Sequence, residues 1–153
     1  MKIRKYQPKD LNDLVNLFTD TIINVNIKDY SKSQVNAWSS SKHKLLNNPN
    51  FFTDLYTIVA IIDENIVGYG NIDSNGYLDH LFVHHNFQGQ GIASRICDIL
   101  EEYARQNSIK KIQVHSSISA KNFFKDRGYQ VEKPQLVALN KESFVNFSMF
   151  KVL

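Results

Sequence analysis

The sequence predicts a mixed α/β domain, and three observations carry that prediction. Two segments repeat apolar residues at helical spacing, one before residue 25 and one after residue 90. Between them, residues 55–83 form three runs rich in β-branched and aromatic residues, separated by turn-forming clusters. The 153-residue length matches one compact domain of the usual ~100–150 residues.

Residues 2–6 alternate and read as a first strand. After Pro8, the positions Leu11, Leu14, Val15, Phe18 and Ile22 follow the i, i+3, i+4, i+7 spacing of an amphipathic helix. Ser31-Lys32-Ser33-Gln34 has the form of a capping box, with Ser31 as N-cap. A second helix carrying Val35 and Trp38 follows, and Asn47-Asn48-Pro49-Asn50 breaks it. Residues 55–62 and 66–72 read as strands joined by Asp63-Glu64-Asn65. Asp73-Ser74-Asn75-Gly76 is a hairpin signal, because Asn-Gly accepts positive φ, and residues 77–83 complete a meander. A loop over 84–90 leads to a helix from about residue 91 to 106, striped with Ile92, Ile96, Ile99, Leu100 and Tyr103. Residues 111–114 form a short strand. Residues 119–127 form a short helix with Ser119 as N-cap and Gly128 as its stop. Residues 129–137 and 144–152 close the order βααβββαβαββ, with no linker, repeat or low-complexity tract, so residues 1–153 are expected to be one domain.

Composition narrows the class. Hydrophobic residues make up 42% and aromatics 12%, too much for a disordered chain. No apolar run approaches the ~20 residues of a spanning helix, and residues 1–6 lack a signal peptide's apolar core. The single Cys97 excludes an internal disulfide and a Cys-based zinc cluster, and within its helix it reads as a small core residue rather than a nucleophile. A cytoplasmic protein with no membrane partner is expected. The net charge of +3 is unevenly placed: Arg105, Lys110, Lys111, Lys121, Lys125 and Arg127 face one acid, Asp126, across residues 103–128. Such an excess of +5 suits a discrete anionic ligand and equally describes a solvated helix surface. No recognition helix stands out, so no nucleic-acid partner is expected.

The most informative stretch runs from Leu78 through Ala93 as strand, glycine-containing turn and helix. Gly89 and Gly91 allow the backbone to approach a ligand, and the first amides of the following helix are unsatisfied donors at a positive dipole end. This is an anion cradle. A dinucleotide fingerprint wants a third glycine, and a P-loop wants Gly-Lys-Ser/Thr where this chain has Gly91-Ile92-Ala93.

Gln88-Gly89-Gln90-Gly91-Ile92-Ala93 resembles motif A of the GNAT superfamily of acetyl-CoA-dependent N-acetyltransferases, Gln/Arg-x-x-Gly-x-Gly/Ala. The segment Ser119-Ala120-Lys121-Asn122-Phe123-Phe124-Lys125-Asp126-Arg127-Gly128-Tyr129 resembles that family's later helix. The Ala37-Trp38 helix and the terminal Asn146-Phe147-Ser148-Met149-Phe150-Lys151 resemble its small bacterial YafP-like branch. The resemblance implies a GNAT fold, with helices on both faces of a mixed, mostly antiparallel sheet that splays between strands four and five. It implies acetyl-CoA as acetyl donor and no metal. Amides of Gln88, Gly89, Gln90, Gly91, Ile92, Ala93 and Ser94 would hold the pyrophosphate. The backbone of Phe82, Val83 and His84 would pair with the pantetheine arm, and an amide near Phe82 or Val83 would polarise the thioester carbonyl. Ser117 stands where many relatives carry a cofactor-contacting Asn. Lys110, Lys121 and Lys125 are available for the 3′-phosphate. Phe124 falls in the same site, where many relatives place a Tyr that reprotonates the leaving thiolate.

Acyl transfer to an amine needs the ammonium proton removed. Asp79 is the first candidate base and His80 the second. Strand alternation places them on opposite faces, and either residue could instead cap or solvate a strand end. Since Phe124 has no proton to give, water, Tyr129, Ser116 or Ser117 would reprotonate the thiolate, or the step needs no dedicated acid. Trp38, Tyr30 and Phe51 either shape an acceptor pocket or pack the core, and packing is the expectation. His84, His85 and His115 match no zinc spacing. The expected activity is transfer of an acetyl group to a primary amine, small molecule or peptide, in a ternary complex, by a monomer or homodimer. The alternative is a non-catalytic acyl-CoA-binding module.

Overall fold

The structure is a computed structural model that describes residues 1–153. Its strands are β1 (Lys2–Lys5), β2 (Tyr56–Ile62), β3 (Asn65–Ile72), β4 (Tyr77–Val83), β5 (Lys111–Ser116), β6 (Gln130–Leu139) and β7 (Glu142–Val152). They form one sheet in the order β1-β2-β3-β4-β5-β7-β6. Every neighbouring pair is antiparallel except β4 and β5, which are joined by a helical crossover and lie parallel. The helices are α1 (Leu11–Asn24), α2 (Lys32–Ser39), α3 (Lys42–Asn47), α4 (Asn50–Asp54), α5 (Ile92–Gln106) and α6 (Lys121–Asp126).

Two cores sandwich the sheet. On one face the α5 stripe of Ile92, Ile96 and Leu100 packs on Leu78, Ile112 and Met149. On the other face Leu14, Phe18 and Ile22 of α1 pack with Phe52, Val59 and Tyr69. Gly70 in β3 lets α5 lie close, since a Cβ there would sit 2.8 Å from Ile96 Cγ2. Cys97 is fully buried in the α5 core, where burial pushes its thiol up to about 12. That is the packing role its sequence position suggested.

Two features of the sheet position the site. Beyond Tyr77–Gln113 and Leu78–Val114, β4 and β5 separate, β4 staying with β3 and β5 with β7 as far as Ser116–Phe147. The second feature is a β-bulge. The β3–β4 register runs Gly70↔Leu81 on one side and Ile72↔Leu78 on the other, so Asp79 and His80 together oppose Asn71. Strict alternation would place Asp79 and His80 on opposite faces. The extra residue breaks it, and both side chains line one cavity.

Three further local expectations are corrected. The single second helix is divided into α2 and α3, and an unpredicted helix, α4, begins at the last residue of the Asn47-Asn48-Pro49-Asn50 break. The hydroxyls of Ser39 and Ser40 donate to the Asn36 and Ala37 carbonyls near the end of α2, a local alternative to helix continuation. Pro49 then serves as N-cap of α4. Finally, α6 starts at Lys121 with Ala120 as N-cap, because Ser117 Oγ accepts the Ala120 N–H (3.1 Å) while Ser119 Oγ accepts from Asn26 Nδ2 (3.2 Å).

Candidate active site

The separation of β4 from β5 opens a groove of about 450 Å³. One wall is the loop from β4 into α5. Gly89 and Gly91 take φ of +73° and +79°, which L side chains rarely adopt, and a Cβ on either would meet no atom within 4 Å. No main-chain N–H from Gln88 to Ser94 has an acceptor in the protein, and the first paired amide is Arg95, to Gly91 O at 3.0 Å. Seven consecutive free donors therefore surround the start of a fifteen-residue helix, an arrangement complementary to a diphosphate. Gln88 Nε2 anchors the loop by donating to Val83 O at 2.6 Å. Gly89, Gly91, Ile92, Ala93 and Ser94 line the groove, whereas the Gln90 side chain projects outward.

The β4 wall offers main-chain groups selectively. His84 N–H donates to Val67 O at 2.8 Å and His84 O accepts from Phe87 N–H at 2.9 Å, so both are committed inside the protein. Ladder alternation turns Phe82 to β3 in the same way and leaves the amides of Leu81 and Val83 facing the gap. The main-chain amides free to face the gap are therefore those of Leu81 and Val83, not those of Phe82 and His84, and the Val83 carbonyl is taken by Gln88. Leu81 is the residue that sequence reasoning missed, because only the ladder phase distinguishes the two sets.

Opposite, Ser117 stands between the groove and a second cavity of about 240 Å³. Phe124 lines the groove but is 2% exposed, packed edge-on against Tyr129 at 5.1 Å. Tyr129 cannot reach the groove. Its hydroxyl donates to Glu101 at 3.0 Å in a buried network with Arg127 and Lys151, and burial beside that carboxylate raises its pKa. Ser116 is buried, its hydroxyl donating to Ser117 O at 2.9 Å. Of the hydroxyls the sequence offered for proton return, Ser117 is the one that lines the groove with its donor uncommitted. Arg127, counted in the basic window, is spent on Asp98 and Glu101, and Lys121 lies 4.2 Å over the Phe147 ring.

Trp38, Asp79, Phe82, His115 and Ser117 line both the groove and the second cavity, and so mark their junction. Asp79 opens to solvent on one side and is walled by protein on the others. That loss of solvation, with the charge of Asp73, raises its carboxyl pKa. His80 is different. It is wedged between Phe18 (5.6 Å, parallel) and Phe51 (4.9 Å), with Nδ1 2.8 Å from Tyr69 Oη. Burial drops its pKa to about 4, so the imidazole is neutral and a weak proton acceptor. His115, set aside in the sequence, reaches the junction as the first β5 residue past the last paired position, Val114, where Asp79 is the first on β4. Tyr30 and Trp38, for which packing is the expectation over an acceptor pocket, line the second cavity as well as packing, and Phe51 supports it from behind His80.

The family described as "Acetyltransferase (GNAT) domain" matches residues 26–149. The chain is 32% identical to the uncharacterized N-acetyltransferase YafP of Escherichia coli (strain K12), over 97% of this chain and 94% of YafP. Its fold superposes on a GCN5-related N-acetyltransferase from Rhodopseudomonas palustris with a TM-score of 0.96 at 27% identity, covering 99% of this chain and 95% of that one. The PaiA N-acetyltransferase from Thermoplasma acidophilum, solved in complex with coenzyme A, superposes with a TM-score of 0.80 at 20% identity, covering 99% and 98%. With the splayed sheet and the glycine cradle in place, these matches mean that the chain belongs to the GNAT acetyltransferase family.

Proposed function

We propose that this protein transfers an acetyl group from acetyl-CoA to a primary amine by direct attack in a ternary complex. The observation that carries the reading is the run of free amides from Gln88 to Ser94 at one end of a groove whose other end meets Asp79. The cradle fits a diphosphate: its donors are unspent and its glycines leave open space. Bound there, acetyl-CoA supplies an activated thioester.

The chain's own groups supply the rest. The Val83 amide, facing the gap, donates to the carbonyl oxygen as it gains charge, a contact worth ~3 kcal/mol of barrier in comparable oxyanion sites. Asp79 takes one proton from the bound ammonium, with the His115 imidazole beside it at the junction. The nitrogen then forms the new C–N bond as the C–S bond breaks. Its second surplus proton ends on the sulfur, relayed by the Ser117 hydroxyl or water, which does the work that Phe124 cannot. Removing Ser117 would slow this step without stopping it, because a coenzyme thiolate is a tolerable leaving group.

Calorimetry tests the reading. Acetyl-CoA, desulfo-CoA and ADP should each bind, and Gly91→Glu should abolish all three while keeping the folded spectrum, since like charge against a diphosphate costs several kcal/mol. Absence of binding by the unaltered protein overturns the proposal. Tight binding without thiol release across an amine panel, insensitive to Asp79→Asn, would favour the non-catalytic module instead.

A further inference from the structure

The second cavity has its own chemistry. Its walls are ring faces and edges: Trp38 lies edge-on to Tyr30 (5.6 Å) and Phe144 (6.2 Å), and Phe82 edge-on to Phe18 (5.1 Å). Val137 and Leu139 of β6 close it with aliphatic surface. No lysine or arginine lines it, and Asp79 is its one carboxylate. Asp79 lies where the cavity meets the groove, with His115 and Ser117 beside it; the remaining lining is mostly apolar, interrupted by Tyr30, Tyr77, His80 and Asn146.

We infer that this cavity holds the acetyl acceptor, and that the acceptor is a small monoamine on a flat apolar body, of arylalkylamine type. The inference rests on Asp79 as proton acceptor in the reaction proposed above. The ammonium pairs with Asp79 at the junction, where its nitrogen meets the groove, and the ring fills the space among Tyr30, Trp38, Phe82 and Phe144. Three other amine classes fit poorly. An amino acid brings a carboxylate that would face Asp79 with no cation to receive it. A polyamine or aminoglycoside brings further ammonium groups into a cavity with no second carboxylate to pair them. About 240 Å³ also lies below the ~300–1,000 Å³ of sites for drug-sized ligands, too little for an oligosaccharide.

Trp38 is the only tryptophan in the chain, so its fluorescence reports occupancy of the cavity without any cosubstrate. Titration with 2-phenylethylamine should change that emission saturably. With acetyl-CoA present, thiol release should show a kcat/KM at least ~10-fold above those for spermidine, glycine, kanamycin and a lysine-containing peptide. Val137→Phe, which fills the cavity from the β6 side, should raise KM for 2-phenylethylamine by ~10-fold and leave acetyl-CoA affinity unchanged. If acetyl-CoA binds but 2-phenylethylamine neither changes the emission nor is turned over, the acceptor assignment falls and the acetyltransferase reading stands. A preference for spermidine or the peptide overturns the assignment in the same way. Failure of acetyl-CoA itself to bind removes the reading beneath it.

Discussion

The His80 amide donates to the side-chain oxygen of Asn71 at 2.9 Å, and this bond ties down the bulge that turns Asp79 and His80 to one cavity. Asn71 is fully buried on β3. Asn71→Ala would leave the His80 N–H without a partner, at a cost of about 1–3 kcal/mol. Denaturant unfolding should show that loss, and acetyl transfer should fall in kcat while acetyl-CoA affinity holds. Unchanged stability would mean that the bulge is held by other contacts.

Asp79 must be ionised to take a proton, and its pKa lies above the ordinary aspartate value because of partial burial and Asp73. Activity is therefore lost as pH falls through that raised pKa, at a higher pH than an ordinary aspartate would set. Asp79→Asn should lower kcat/KM by ~100-fold or more and remove this acid limb, with acetyl-CoA affinity within about twofold. A pH–rate profile of both proteins, with the same acid limb in each, would exclude Asp79 as the base.

Ser117 and Tyr129 make opposite predictions for the proton that Phe124 cannot supply. Ser117→Ala should slow thiol release by ~10-fold, short of the ~100-fold of a demanding proton transfer. Tyr129→Phe should leave turnover intact and cost about 1 kcal/mol of stability, since its hydroxyl serves only Glu101. Turnover lost in Tyr129→Phe with the melting temperature unchanged would reverse the assignment.

Glu101 links α5 to the far end of the sheet through Arg127 (3.0 Å) and Lys151 (2.9 Å). Burial opposes its ionised form, but the hydrogen bonds from Lys151 and Arg127 outweigh that and hold its pKa below the usual glutamate value. A depressed folded-state pKa contributes stability that is present above the unfolded value of 4.5 and is lost as pH falls through the folded value. Glu101→Gln should cost about 3 kcal/mol at neutral pH, the low end for a broken buried pair because Lys151 is partly exposed. The stability gap between the two proteins should narrow as pH falls below 4.5, and a gap that stays constant into the acid-unfolding range would remove the network from the acid response.

Much of the molecule was legible in its residues. The α1 and α5 stripes, the Ser31 capping box, the Asn75-Gly76 hairpin and the Gly89–Gly91 turn are local signals, each written within a few positions and read by spacing alone. The Ser31 box forms as drawn, Ser31 Oγ accepting from Gln34 N–H and Gln34 Oε1 from Ser31 N–H. Where tertiary partners compete, local signals mislead. Ser119 looks like a cap but is drawn away by Asn26, ninety-three positions earlier. Glu101 sits on a charged helix like a surface acid but is buried, bonded to Arg127 and Tyr129 just before β6 and to Lys151 on β7.

The chain by itself determined which segments are helix or strand, where an anion cradle forms, and which acid stands before it, because each depends on neighbours within a turn or a strand. Only the tertiary structure decided that Asp79 and His80 share a cavity, that Leu81 and Val83 rather than His84 face the gap, and that Tyr129 is walled off while Ser117 is not. The first two outcomes depend on a one-residue slip between β3 and β4 and on where β5 leaves β4, and the third on the Tyr129 bond to Glu101. A slip of that size leaves composition and periodicity unchanged, yet it reverses which side chains and amides meet a ligand.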